Sequence, residues 1–451
     1  MMAEASVPKP PRYDHALLHV VEVARAVLGE EAISTGACRF LQDAAGVFTT
    51  IVDDHLPTDL RQQLASKLID IGSYIDSGWP VTTAQEAFDP SLTDLGAFVR
   101  LPVEISGSPI TIFLLDRRIV GFDWLSTVRE AIPGAPPIVT FASLKGGVGR
   151  STALSIAAQD LSMLGLRVLA VDLDLEAPGL GSMLLPPENR PKYGTLDFFV
   201  ERGASSFRAT DFADLMEASP FYSFGAPVYV VPAFGSITAD FPRNVLGKLA
   251  RSYFEDHDDS GQVSTFLDRT RDLLAGLLSV RDFDVVLVDS RAGLHETAAA
   301  SLLGIGADVL LFGVFQNQTF EGYTPLLAHM AEMTSNGTSI LPRLRMIHSK
   351  ADLNSSVELG AFLDRAHKMF SETLYGSPEQ SADEFEAGDA QWYNLTDPDG
   401  PHYPWRIGDS PSHRLFDPAM NPNQIEASSY GDAYGDFLSS LRENILARLE
   451  Q

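Results

Sequence analysis

Residues 138–152 read IVTFASLKGGVGRST, and this stretch decides the fold. Ile138, Val139, Thr140 and Phe141 are β-branched or aromatic strand formers. A glycine-rich turn follows them, and STALSIAAQDLSML after the turn is compatible with a helix. Strand, glycine loop and helix in that order make a phosphate-binding loop. Gly146, Gly147 and Gly149 carry no Cβ that would hold a phosphate away from the backbone. They also permit the positive φ angles that turn successive N–H groups inward. The helix beginning near Ser151 adds free N–H groups and the positive end of its dipole.

Two further strands point at the same place. The segment RVLAVDLDLEAPGL (167–180) runs through an apolar strand into Asp172-Leu173-Asp174. Alternate strand residues share a face, so both carboxylates can aim at one point at the strand tip. The segment DVVLVDSRAG (284–293) has four successive apolar residues, as expected of a strand buried on both faces. Asp289 ends that strand and Gly293 follows it. Strands are expected at 138–142, 167–171, 227–232, 284–289, 308–314 and 343–348. Helices are expected at 151–164, 264–279, 323–334, 356–373 and 432–449. This alternation builds an α/β fold, a doubly wound and mostly parallel sheet with helices on both faces.

The loop resembles the deviant Walker A motif of the MinD/ParA group of P-loop ATPases, K-G-G-x-G-K-[ST]. Lys145 takes the early signature lysine position, and Arg150 stands where that pattern has its second lysine. The spelling KGGVGR matches a variant of the group found in bacterial ATPases often linked to conflict or regulatory systems. The resemblance implies ATP and Mg²⁺ as cofactors, bound by Lys145, Gly146, Gly147, Val148, Gly149, Arg150, Ser151 and Thr152. It gives the metal to Ser151, Asp172 and Asp289, and the attacking water to Asp174, with Glu176 a weaker candidate. Gly293 would sense a γ-phosphate, and Arg291 is either an ion-pair partner or a charge that answers to nucleotide state. Lys145 would reach across a nucleotide-sandwich homodimer and act in catalysis there. Arginine is bulkier and forked, so its presence at 150 is not a conservative change. Ser349-Lys350-Ala351-Asp352 is similar to a guanine-reading element only in part, so ATP is preferred over GTP.

The rest of the chain sets limits. Its 451 residues carry 33 Lys and Arg against 60 Asp and Glu, a net charge of −27. Such a surface repels nucleic acid and anionic lipid unless a basic patch is built locally. Cys38 is the sole cysteine, which excludes an internal disulfide and fits a reducing compartment. It reads as a buried, inert thiol. The N-terminus lacks an apolar signal region, and no run of about 18 apolar residues exists to span a membrane. A cytoplasmic protein is expected. The C-terminal helix has one apolar face and a mixed polar face, which favours packing on the sheet over membrane targeting.

Residues 1–12 read as a flexible tail and 13–131 as a small α/β domain of unknown role, a site for a protein partner. Within it, helices are expected at 13–28, 57–76 and 123–130, and strands at 47–52, 98–105 and 109–115. The last two strands flank Ser106-Gly107-Ser108, a hairpin signal. Residues 132–137 (IPGAPP) read as a linker that is also the lead-in to the first core strand, 138–451 as the ATPase core, and 376–430 as a loop-rich, lid-like insertion. The function these features imply is a slowly hydrolysing ATPase switch in a signalling or defence system. A DNA-partitioning ATPase and a nucleotide-binding scaffold without turnover are the alternatives.

Overall fold

A computed structural model describes residues 11–118, 121–202, 208–222, 225–257, 263–334, 339–375 and 392–450. Residues 1–10 of the tail expected at 1–12 and the 376–391 part of the expected insertion lie outside the described residues. The chain divides into two units, Met1–Leu125 and Ser126–Gln451.

The first unit holds one sheet of five strands: β1 (Cys38–Gln42), β2 (Phe48–Val52), β3 (Val81–Thr82), β4 (Val99–Ile105) and β5 (Ser108–Asp116). Their order is β3-β2-β1-β5-β4. The β4–β5 hairpin turns at Ser106 and Gly107, both at positive φ (54° and 79°). That pair of angles gives a two-residue turn whose twist matches the strands it joins. Helices Tyr13–Leu28 and Thr58–Ile69 bury Val20, Val21, Leu64 and Leu68 in the core that also holds Phe40 and Ile112. The second helix is shorter than 57–76, because the chain turns at Ile71 and Gly72, the latter at φ 99°. The expected helix at 123–130 is only a short 3-10 turn, Phe122–Leu125. Cys38 lies on β1 fully buried, and burial pushes its thiol up to about 12.

The second unit is built on an eight-stranded sheet. Its strands are β6 (Ile138–Ser143), β7 (Val168–Asp172), β8 (Glu217–Ala218), β9 (Val228–Val231), β12 (Val285–Asp289), β13 (Asp308–Gly313), β14 (Leu344–Ala351) and β15 (Trp405–Gly408). A separate small hairpin comprises β10 (Asp256–His257) and β11 (Val263–Ser264). The sheet order is β15-β14-β13-β6-β12-β7-β9-β8. Every neighbouring pair is parallel except β8 with β9 at one edge. β6, β7, β12 and β13 are buried along their whole length, as both faces of a parallel sheet demand.

Two boundaries differ from those read in the sequence. The IPGAPP stretch leads into β6 as part of the second unit: Ile132 sits in its core, the Val286 amide donates to Pro137 O, and the Arg129 amide donates to Leu303 O. The expected lid at 376–430 contributes β15, which completes the sheet beside β14. The C-terminal helix, Ala427–Leu449, buries Tyr430, Tyr434, Phe437, Leu438, Leu441 and Ile445 against this sheet. Its apolar face is therefore used internally. No helix among the described residues is long and apolar enough to cross a membrane.

Candidate functional site

The site lies at the carboxyl ends of β6, β7 and β12, where ligands gather in open parallel sheets. The loop after β6 turns at Gly147 (φ 77°) and Gly149 (φ 90°), and the helix Arg150–Met163 begins directly behind it. Both angles lie where an L side chain is strained, so these two positions require glycine. The Lys350 ammonium, itself on a residue at φ 56°, donates to Gly147 O at 2.8 Å and ties the end of β14 to the loop.

Parallel pairing sets Asp289 directly beside Asp172 and Phe141. The Ser151 hydroxyl donates to Asp289 Oδ2 at 2.6 Å. Asp172 is spent differently from the expected role. Its carboxylate accepts from the backbone N–H groups of Asp174 (3.0 Å), Leu180 (3.1 Å) and Gly179 (3.3 Å). It therefore shapes the loop that follows β7. Burial, reinforced by the neighbouring Asp289 charge, pushes the Asp172 carboxyl upward. Burial also raises Asp289, against the pull of the Arg150 guanidinium.

Arg150 is itself buried. Its Nε stands 2.5 Å from Asp289 Oδ1, and a terminal nitrogen stands 3.0 Å from Asp174 Oδ2. This double pairing is not legible in the sequence, because the three residues belong to three separate segments. Lys145, by contrast, is exposed and donates to Gln318 at 2.8 Å. The Gly293 amide donates to Ser143 O at 2.9 Å, with Gly293 at φ 92°.

A second cluster joins the loop after β7 to the loop after β12. Arg291 grips Glu176 through two bonds of 2.6 Å, and the Tyr253 hydroxyl donates to the same carboxylate at 3.0 Å. Tyr253 is fixed from below: the buried Arg269 guanidinium donates to Ser252 O (3.0 Å) and Phe254 O (2.7 Å), the carbonyls on either side of it. Arg291 is thus an ion-pair partner, and Glu176 faces it rather than Asp174. Tyr253 was not foreseen, since nothing local marks a lone tyrosine far from the motifs.

Beside the loop lies a small cavity of about 40 Å³ bounded by Val148, Gly149 and Thr152 on one side and Ser349, Lys350 and Asp409 on the other. The Ser349 hydroxyl is buried there and has no hydrogen-bond partner among the described residues. Asp352 is exposed, and its Oδ1 accepts the Asn354 amide at 3.1 Å. An apolar cleft of about 250 Å³ opens on the other side, under Lys145 and Gly293, walled by Leu144, Phe312 and Tyr323.

Hard oxygen donors of this kind fit Mg²⁺, which takes one or two carboxylates and leaves its other positions to water and phosphate. Of the residues expected to hold it, Ser151 and Asp289 are in contact, and Asp172 accepts backbone N–H groups of the loop after β7. Among the described residues no group of three or more His, Cys, Asp or Glu forms a self-sufficient metal cage.

No family model matches the chain. Over 165 residues, 37% of this chain, it is 27% identical to an uncharacterised ATP-binding protein of Methanocaldococcus jannaschii. The match covers 48% of that relative, so the chain spans about half its length. A ParA family ATPase from Chlorobium tepidum aligns over 55% of this chain and 87% of its own, with 19% identity and a TM-score of 0.37. A cobyrinic acid a,c-diamide synthase from Mycobacterium smegmatis, solved with an ATP analogue and magnesium, aligns over 54% and 86%, with 20% identity and a TM-score of 0.36.

Proposed function

We propose that the second unit is an ATP-dependent switch of the P-loop type, and that it binds ATP with Mg²⁺ and hydrolyses it slowly. One observation carries this reading: a glycine loop, the Ser151 hydroxyl and the Asp289 carboxylate converge at adjacent parallel strand ends, with Ser151 and Asp289 in contact at 2.6 Å. The backbone N–H groups of the loop and the start of the following helix hold the phosphates. Mg²⁺, when bound, would offset charge on them from the side of Ser151 and Asp289. Asp174 orients the attacking water, and Lys145, free of the buried cluster, acts across a nucleotide-dependent homodimer. The Gly293 amide exchanges Ser143 O for the γ-phosphate. The M. jannaschii relative's description as ATP-binding supports the choice of nucleotide. A signalling or defence role, and a partner for the first unit, belong to the same proposal through the KGGVGR loop. The scaffold reading keeps one observation in its favour, the double pairing of Arg150.

A ligand that binds only the native state raises the melting temperature, by a free energy that grows as the logarithm of its concentration over Kd. ATP with Mg²⁺ should raise it more than ATP with chelator, and phosphate release should follow at a slow rate. Melting curves unchanged by any nucleotide would sink the assignment. Binding without phosphate release would turn the protein into the scaffold.

A further inference from the structure

Arg150 occupies the place where the carboxylates would meet a cation. Asp289 Oδ1 faces its Nε at 2.5 Å, and Asp289 Oδ2 accepts the Ser151 hydroxyl at 2.6 Å. Asp174 Oδ2 accepts from its terminal nitrogen at 3.0 Å, and Asp174 Oδ1 accepts the Ala177 amide at 3.3 Å. Asp172 has given both oxygens to backbone N–H groups. Among the described residues Asp289 Oδ1 makes no hydrogen bond and meets the guanidinium only as an ion-pair contact, while the other three oxygens of Asp174 and Asp289 accept hydrogen bonds, and the charge in the middle is Arg150.

We propose that Arg150 and a divalent cation exclude one another at Asp174 and Asp289, so that metal enters only after a nucleotide's phosphates have drawn Arg150 away. Binding is then ordered, nucleotide before metal. The proposal rests on the nucleotide reading above and adds the sequence of events.

Three arguments support it. A planar guanidinium can bridge two carboxylates with separate nitrogens, which a lysine ammonium does less specifically. Arg150 does so here, with Nε on one aspartate and a terminal nitrogen on the other. Second, removing one partner of a buried ion pair leaves the other charge uncompensated, at a large cost. The two carboxylates therefore keep Arg150 until another cation replaces it. Third, phosphate is the competitor that suits arginine best, through the same forked, charge-assisted hydrogen bonds. Arg150 opens the helix directly behind the loop, so its second seat is close at hand. The residue that departs from the lysine pattern is the one that would impose the order.

The test uses the full chain and Mn²⁺ as the probe, followed by electron paramagnetic resonance of the free ion. Before nucleotide is added, the parent should take up no Mn²⁺ at low micromolar concentration; a non-hydrolysable ATP analogue should then bring stoichiometric uptake beyond that of the same analogue without protein. Arg150→Met should bind Mn²⁺ without nucleotide, with affinity raised by roughly a hundredfold, the scale of a buried charge left uncompensated. Adding Asp289→Asn to it should abolish that gain, and Arg150→Lys should weaken the exclusion only in part. Circular dichroism and melting show whether Arg150→Met folds; if it does not, the order of addition to the parent decides alone. Tight Mn²⁺ uptake by the parent without nucleotide, suppressed by Asp289→Asn, overturns the proposal. So does a folded Arg150→Met protein with no gain. Failure of the parent to bind the analogue under any condition is a different result, and it removes the nucleotide reading itself.

Discussion

At the scale of single residues, the contact between Glu176 and Arg291 couples the two loops that flank the site. Both side chains are partly exposed, so the pair is screened by water, yet its two parallel bonds of 2.6 Å are the stronger kind of surface ion pair. Glu176→Gln and Arg291→Gln should each destabilise the protein modestly. A double-mutant cycle should give a coupling of about 1 kcal/mol that shrinks in high salt. A coupling of zero would show that the loops are held by Tyr253 and the backbone alone. Most of the phosphate loop was legible from its glycines, because positive φ angles and a helix start are local properties. The seats of Arg150 and Glu176 were not, because each depends on strand adjacency: Asp289 comes within reach of Arg150 only when β12 pairs with β6.

At the scale of elements, the parallel core strands were readable because burial on both faces leaves unbroken apolar runs. The short polar-flanked β1 escaped notice, since Arg39 and Gln42 disguise a strand whose Phe40 is fully buried. The helix Asn317–Thr334 begins earlier than position 323, since Pro325 falls within its first turns and does not end it. β15 was masked by the Pro- and aromatic-rich sequence around it. The pairing of β14 with the helix Ser356–Ser371 makes a pH prediction. His348 on β14 is buried and stacks on Phe362 of that helix, with ring centroids 4.2 Å apart. Burial, outweighing the nearby Glu358, lowers its pKa to about 4. The unfolded chain then binds a proton that the native state refuses between about pH 6.5 and 4. This residue's contribution should therefore lower stability as pH falls through that window, by about 1.4 kcal/mol per pH unit. His348→Phe keeps the stacking and should remove that part of the acid limb in denaturant titrations. An unchanged limb would show that His348 takes its proton in the folded protein.

At the scale of the whole molecule, the charge of −27 weighs against general DNA affinity, and Lys145 bears on assembly. A cation at the start of the loop whose one hydrogen bond among the described residues goes to Gln318 is poorly employed inside its own chain. Lys145→Ala should preserve nucleotide binding while removing both nucleotide-dependent dimerisation and the hydrolysis that depends on it, as loss of a trans-acting cation does. Light scattering and phosphate release measure the two. A monomeric Lys145→Ala protein that hydrolyses ATP at the parental rate would end the trans mechanism. Gel shifts with long duplex DNA check the charge argument, and salt-sensitive binding in the presence of ATP would favour the partitioning alternative.

The C-terminal helix carries a consequence for how the protein is made. Phe437 packs edge-on against Phe141 of β6 and Phe312 of β13. The strand that launches the phosphate loop emerges from the ribosome early, but its aromatic neighbour from the last helix is synthesised long afterwards. Contacts so distant in sequence form late and slowly, because a long loop must close first. During translation the nascent β6 therefore waits with an incomplete hydrophobic face, the kind of surface that chaperones recognise. A phosphate loop supported by that face would become competent only once the far end of the chain has been delivered to it.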